Sequence, residues 1–190
     1  HGGNATSRYN WKLNASNRAR DWYYQSSGER DASPGEQVDT FIADTRAAGA
    51  EPTITMPMMD WLAKLGPERM PLGSFSIRKY GPQTGWAPKG NADFGNGIRA
   101  GGAYVTGNDP GDAHVRVEAG FKREWVQHLV KRWGLSSAGG VRYYTLDNEP
   151  SIWHANHRDV HPSGLTMRDL RDRIINHATM IKETDPGALV

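Results

Sequence analysis

The sequence predicts an α/β protein built on a parallel sheet, specifically part of a (β/α)8 TIM barrel, roughly its first half and truncated at both ends. Three observations lead there. Short apolar, β-prone runs at 52–59, 141–146 and 188–190 alternate with amphipathic segments at 33–49, 118–133 and 166–185, and that order requires parallel strands joined by helical crossovers. Neither full strand run is followed by a Gly-rich phosphate turn, and no GxxxxGK[ST] occurs, which counts against an open nucleotide-binding sheet. The polar tetrapeptide Asp147-Asn148-Glu149-Pro150 falls at the C-terminal end of a strand run, where barrel enzymes place their chemistry.

The elements follow in order. Residues 2–24 are rich in Asn, Ser and Arg, with aromatics at Tyr9, Trp11, Trp22, Tyr23 and Tyr24, and read as an exposed or functional loop. Ser33 and Glu36 predict a capping box with Pro34 in the first turn, and Val38, Phe41, Ile42 and Thr45 share one helical face that ends at Gly49. Residues 52–59 read as a buried parallel strand with Asp60 and Trp61 at its C-terminal end. Ten Gly and five Pro between Gly66 and Pro110 mark a long insertion, at about 66–117, folded over the body of the protein. Phe121, Trp125, Val126, Leu129 and Val130 recur at helical spacing before Gly134. Residues 135–140 turn the chain into the strand 141–146. Thr166 caps the next helix with Asp169 three residues on, and Leu170, Ile174, Ile175, Ala178 and Ile181 line its apolar face before Pro186. Residues 188–190 open a further strand. The start at His1-Gly2-Gly3 and the stop in that strand lead us to expect an internal fragment, a single partial catalytic domain over 1–190.

Composition narrows the function classes. The 190 residues are 37% hydrophobic and 23% charged, with a net charge of +2 spread along the chain, so a nucleic-acid partner is not expected. No apolar run approaches the roughly 20 residues that cross a bilayer, and no membrane partner is expected. The absence of Cys excludes disulfides, a thiol nucleophile and thiolate metal sites. Seven Trp and seven Tyr against four Phe suit a wet, sugar-stacking cleft as well as a core.

Glu149 is the candidate general acid/base, because part-burial at a strand end raises the pKa of a carboxylic acid that must donate and then accept a proton. Asn148 offers an amide to a sugar hydroxyl, and Trp153 and His154 follow within reach of a ligand. The bland alternative is that Asp147 or Glu149 caps the following loop; Asp147 itself reads as structural or pKa-tuning. Among the tryptophans, Trp22, Trp61 and Trp153 lie at loops or strand ends and are better stacking candidates than Trp11 and Trp86, while Trp125 and Trp133 sit in a helix and pack. Asp109 and Asp112 in Asn108-Asp109-Pro110-Gly111-Asp112 suit a hard cation such as calcium, against the commoner plain Asx turn. His154, His157 and His161 lack an HExxH pattern and read as a hydrogen-bonded loop.

Gly2-Gly3-Asn4-Ala5-Thr6-Ser7-Arg8-Tyr9-Asn10-Trp11, Asp21-Trp22-Tyr23-Tyr24, Thr145 to His154, and Arg158-Asp159-Val160-His161-Pro162 together resemble glycoside hydrolase family 44 over nearly the whole chain. The resemblance implies a secreted, retaining endo-β-1,4-glycanase acting on cellulose- or xyloglucan-type β-glucan, a monomer in its full-length form. It implies that Glu149 is the acid/base, that Asn148, Asn4 and Arg8 face the sugar, and that a structural calcium is bound. For Arg8 a loop-stabilising hydrogen-bond network is the equal alternative. The nucleophile comes from a later strand, so the 190 residues alone are expected to be inactive. The competing class is a non-catalytic carbohydrate-binding protein, which is normally a β-sandwich; a phosphate-handling α/β protein is disfavoured by the missing phosphate loop.

Overall fold

The computed structural model describes residues 1–88 and 92–190. Its first segment departs from the sequence reading. Thr6–Arg8 is a short 3-10 turn, and β1 (Ala15–Asn17) pairs antiparallel with β2 (Gln25–Gly28). Residues 6–10 and 14–17 are buried, not an exposed loop. Polar residues can line an interior when their groups satisfy one another, and here the Tyr9 hydroxyl donates to Asn14 Oδ1 at 2.7 Å, Asn10 Nδ2 to the Ala63 carbonyl at 2.8 Å, and Asn17 Nδ2 to the Tyr24 carbonyl at 3.0 Å.

The N-cap of helix α1 (Glu36–Ala47) lies two residues after its predicted position. Gly35, at φ 77°, is the N-cap and the Ser33 capping box does not form; Asn14 Oδ1, from the preceding polar segment, accepts the Gln37 N–H at 3.2 Å instead. The apolar run after α1 yields β3 (Thr53–Met56). It stops short of Trp61, which opens β4 (Trp61–Ala63) in a separate antiparallel ribbon. The insertion then carries β5 (Leu72–Gly73) against β2, α2 (Ile77–Tyr80), and β6 (His114–Arg116) against β4. Its own small core is Tyr24, Phe75 and Val105 with Tyr80 against them. Residues 89–91 of the insertion lie outside the described residues.

Helix α3 (Ala119–Trp133), β7 (Tyr143–Leu146), α4 (Trp153–Asn156) and α5 (Met167–Thr184) complete the chain. β3 and β7 pair in parallel, Thr53 opposite Tyr143 through Met56 opposite Leu146. Leu189 bridges the far side of Tyr143 in the same direction, and the His1 backbone lies along the near side of β3. Ile54, Met56 and Tyr144 meet Val38 and Ile42 of α1, Trp125, Val126 and Leu129 of α3, and Met180 and Ile181 of α5 in one core. All three crossover helices therefore cover the same face of the parallel strands. Among the described residues there is no closed barrel and no helix long and apolar enough to cross a membrane.

Thr166 caps α5 as read from the sequence: its Oγ1 accepts the Asp169 N–H at 3.1 Å while Asp169 Oδ2 accepts the Thr166 N–H at 3.2 Å. Thr166→Ala leaves these helix-end groups to solvent and lowers stability by about 1 kcal/mol, read as a lower urea midpoint at unchanged m-value.

Candidate functional site

β3 and β7 end on the same side of the sheet, and Asp147 ties their exits together. Its backbone N–H donates to the Met56 carbonyl at 2.9 Å, its Oδ2 accepts the Met58 N–H at 2.5 Å and its Oδ1 the Asn148 N–H at 2.7 Å. Burial pushes this carboxyl up to about 6 against the pull of those two backbone donors. Asp147 (φ 59°) and Glu149 (φ 45°) both adopt the left-handed conformation around Asn148, which costs on the order of 1 kcal/mol or more at non-Gly residues and concentrates at functional positions. The double reversal lifts Glu149 to the surface as an exposed side chain. Asn148 stays half-buried, with its carbonyl accepting the Trp153 indole N–H at 3.0 Å and its Nδ2 reaching Glu149 Oε2 at 3.4 Å and Asn4 Oδ1 at 3.3 Å.

Behind this loop lies a buried polar network. The Arg8 guanidinium, with no solvent exposure, makes a bidentate pair with Asp159 at 2.7 Å on both arms. Its Nε donates to His157 Nδ1 at 2.8 Å and its Nη1 to His114 Nε2 at 2.7 Å, and the Ser74 hydroxyl donates to Asp159 Oδ2 at 2.6 Å. Arginine has no acceptor, so both imidazoles are neutral with their other nitrogen protonated. The environment agrees: burial first, and then the Arg8 charge, lowers His114 to about 3 and holds His157 well below the ordinary range. Burial alone would raise Asp159, but Arg8 and Ser74 outweigh it and hold the carboxyl at about 2. His157 Nε2 continues the path to Asn4 Oδ1 at 3.2 Å, and Asn4 Nδ2 donates to Asp21 Oδ2 at 2.9 Å.

Beside Asp21, a cavity of about 350 Å³ is walled by Trp22, Tyr23, Tyr24, Tyr104 and Arg158. The Arg158 guanidinium sits 4.9, 4.6 and 4.4 Å from the ring centres of Tyr24, Phe75 and Tyr104. Trp22 and Tyr104 are exposed at this cavity, which is linked to the strand-end loop through Asp21 and Asn4.

Residues 15–190 match the family model of glycoside hydrolase family 44. The chain belongs to glycoside hydrolase family 44. Among curated relatives it is 29% identical to the Beta-mannanase/endoglucanase A of Caldicellulosiruptor saccharolyticus and 28% identical to the Endoglucanase A of Paenibacillus lautus, matching 100% and 98% of this chain but 14% and 26% of theirs. The crystal structure of CelM2, a bifunctional glucanase-xylanase from a metagenome library, superposes with a TM-score of 0.98 at 53% identity over 100% of this chain and 36% of that one. A Paenibacillus polymyxa family 44 xyloglucanase solved with xyloglucan gives 0.68 at 27% identity over 98% of this chain and 35% of that one. The chain therefore spans about a quarter or less of the curated relatives and about a third of the solved ones.

The family 44 chain brings Asn4, Asn148 and Glu149 together and places Trp22 on the neighbouring cavity, as a surface 43% exposed. His154 is exposed and lines an adjoining cavity with Tyr104 and Arg158. Four expectations need correction. Arg8 is wholly buried and engaged by Asp159 and two histidines, which is the loop-holding alternative and not a sugar contact. Trp153 is fully buried against Met58 and Met59, so it offers no face for stacking. Trp61 lies in the β4–β6 ribbon, half-buried and outside both aromatic cavities. Glu149 lacks the part-burial expected of it from these residues.

The two carboxylates expected to hold calcium are already engaged by the protein. Asp109 Oδ1 accepts the Gly111 N–H at 2.8 Å, an Asx turn, while the two oxygens of Asp112 accept from Lys79 Nζ at 2.6 Å and the Tyr80 hydroxyl at 2.5 Å. Among the described residues no three His, Asp or Glu side chains gather in a cation-binding group. Asp109 and Asp112 do not fit the ion. Sequence reading missed His114, Ser74, Tyr104 and Arg158 as parts of this region. Each comes from the insertion or the loop after α4, and no local pattern links them.

Breaking the buried pair tests the network. Asp159→Asn leaves the Arg8 charge uncompensated and costs about 3–5 kcal/mol, read by denaturant unfolding. Acidification gives a second test. His114 and His157 bind protons only on unfolding, because their folded pKa values lie below the unfolded value near 6.5, so stability falls as pH drops below about 6.5. Asp159, depressed to about 2, extends the loss below about pH 4. Asp147, raised to about 6, takes up a proton while folded and offsets part of the loss between about 6 and 4. His161 and His177, also lowered by burial, add to the loss, and these histidines against one aspartate leave a falling melting temperature between pH 7 and pH 5; a flat or rising one would contradict the assigned protonation states.

Proposed function

We propose that this chain is part of a retaining endo-β-1,4-glycanase of the cellulose/xyloglucan-degrading type, and that Glu149 is its general acid/base. The observation that carries the reading is the placement of an exposed carboxylate at the C-terminal end of a parallel strand, on a doubly left-handed loop, with an asparagine amide against it. Such a carboxylic acid protonates the leaving oxygen and then deprotonates the attacking water, while a second carboxylate about 5 Å away forms the glycosyl-enzyme. We assign that second group to the two-thirds of the family's solved chains that this chain does not span. The 190 residues alone are accordingly proposed to be inactive.

The same proportion supports a (β/α)8 barrel completed elsewhere, with residues 1–190 as one partial domain. Helices on a single face of the strands fit a barrel wall better than a doubly wound sheet. Exposed Ile174, Ile175, Leu189 and Val190 supply an apolar edge for the next unit. Substrate rings are proposed to stack on Trp22, with Asn148 and Asn4 at the cleavage site. Endoglucanase, xyloglucanase and glucanase-xylanase relatives support a β-1,4-linked polysaccharide as partner, and a polymer substrate of that kind fits a secreted monomer.

The test is Glu149→Ala in the full-length protein with an aryl β-cellobioside carrying a good leaving group. Deglycosylation slows on the order of 100-fold or more, and azide restores turnover with formation of a β-glycosyl azide. An unaffected variant would sink the assignment.

A further inference from the structure

We propose that His157 is a positioning residue for the Asn148–Glu149 pair, acting through Asn4. The inference rests on the reading of Glu149 as the acid/base. Arg8 Nε can only donate, so His157 Nδ1, 2.8 Å away, is an acceptor and the proton sits on Nε2. That N–H points at Asn4, 3.2 Å off, and requires the amide oxygen of Asn4 to face it. An independent constraint agrees: the Asp21 carboxylate, acceptor-only when ionised, lies 2.9 Å from the other end of the Asn4 amide and requires its NH2 there. With both ends specified, Asn4 Oδ1 faces Asn148 at 3.3 Å and accepts only from the Nδ2 side of the Asn148 amide.

The orientation of Asn148 follows. Its Nδ2 is shared between Asn4 Oδ1 and Glu149 Oε2, at 3.3 and 3.4 Å, so its Oδ1 is turned away from both. Among the described residues nothing donates to that oxygen, and it is left as an acceptor for a substrate hydroxyl. Reversing the amide would set an oxygen against both the Asn4 oxygen and the Glu149 carboxylate, two repulsive contacts in a half-buried site. A proton location chosen deep in the core by Arg8 thus decides, three links away, which end of an amide meets the acid/base and which meets the sugar. His157 and Asn4 are 0% and 8% exposed, so water does not readily substitute for either link.

The experiment is a double-mutant cycle in the full-length protein, read as kcat on a β-1,4-gluco-oligosaccharide that needs acid assistance. His157→Phe preserves the ring but removes the N–H; it lowers kcat on the order of 10-fold, and less than about 2-fold in the Asn148→Ala background, because the path ends there. His157→Gln, which keeps an N–H facing Asn4, recovers most of the loss. Asn4→Ala leaves the Arg8–Asp159 pair intact and carries the same cycle if His157→Phe does not fold. Losses of equal size with and without the Asn148→Ala substitution, or no recovery with Gln, would overturn the inference, since a merely structural histidine lowers both backgrounds alike. Glu149→Ala with azide separates the two readings. Failure to form the glycosyl azide overturns the acid/base role itself, whereas azide rescue together with an additive cycle overturns the positioning role alone.

Discussion

The bidentate pair between Arg8 and Asp159 is the constraint on which the arrangement of this chain depends. Two opposite charges without solvent exposure persist only when each is fully hydrogen-bonded, and the surrounding structure is arranged to meet that demand. Ser74 from the insertion, His114 from β6 and His157 from the loop after α4 all converge on the pair. The three segments are distant in sequence. A single buried arginine near the N-terminus therefore specifies where the insertion folds back and where the chain beyond the strand-end loop must return.

The consequence reaches the surface through groups of fixed polarity. Because arginine donates at every nitrogen, the imidazoles beside it are neutral and of one tautomer. Because His157 is of one tautomer, Asn4 has one orientation, and Asn148 inherits its own from Asn4. Backbone geometry works in the same direction. The left-handed Asp147 and Glu149 turn the chain twice within three residues, and the Asp147 carboxylate holds the exits of β3 and β7 in register. Strain and polarity together define the site; neither the strand nor the loop would do so alone.

Apolar packing has a different task. The core built by Ile54, Met56 and Tyr144 against α1, α3 and α5 sets the strand directions and puts both strand ends on one side, yet it contributes no group to the chemistry. The insertion combines the two roles. Phe75 and Val105 give it a small core of its own, and its Tyr104, with Arg158 from the loop after α4, walls an aromatic cavity near the strand-end loop.

Local pattern was enough to read α1, α3, α5, β3 and β7, the Thr166 cap and the strand-end position of Glu149, because helical and strand periodicity and cap chemistry act over a few residues. The resemblance of residues 2–11, 21–24, 145–154 and 158–162 to family 44 is likewise legible, since each run is of contiguous side chains. What the sequence did not decide were the roles that depend on burial and on distant partners. From sequence Arg8 suits a sugar contact and a loop anchor equally, and only the fold brings Asp159, some 150 residues away, to occupy it. Trp153 and Trp22 are the same residue type at similar loop positions, and only packing makes one core and the other surface. The Ser33 cap lost to Gly35 and Asn14, and the Asp112 carboxylate was taken by Lys79 and Tyr80. In each case the chemistry of the side chain was written in the chain, while the partner that selects its use was brought by tertiary structure, because hydrogen bonds and desolvation depend on proximity in space and not along the sequence.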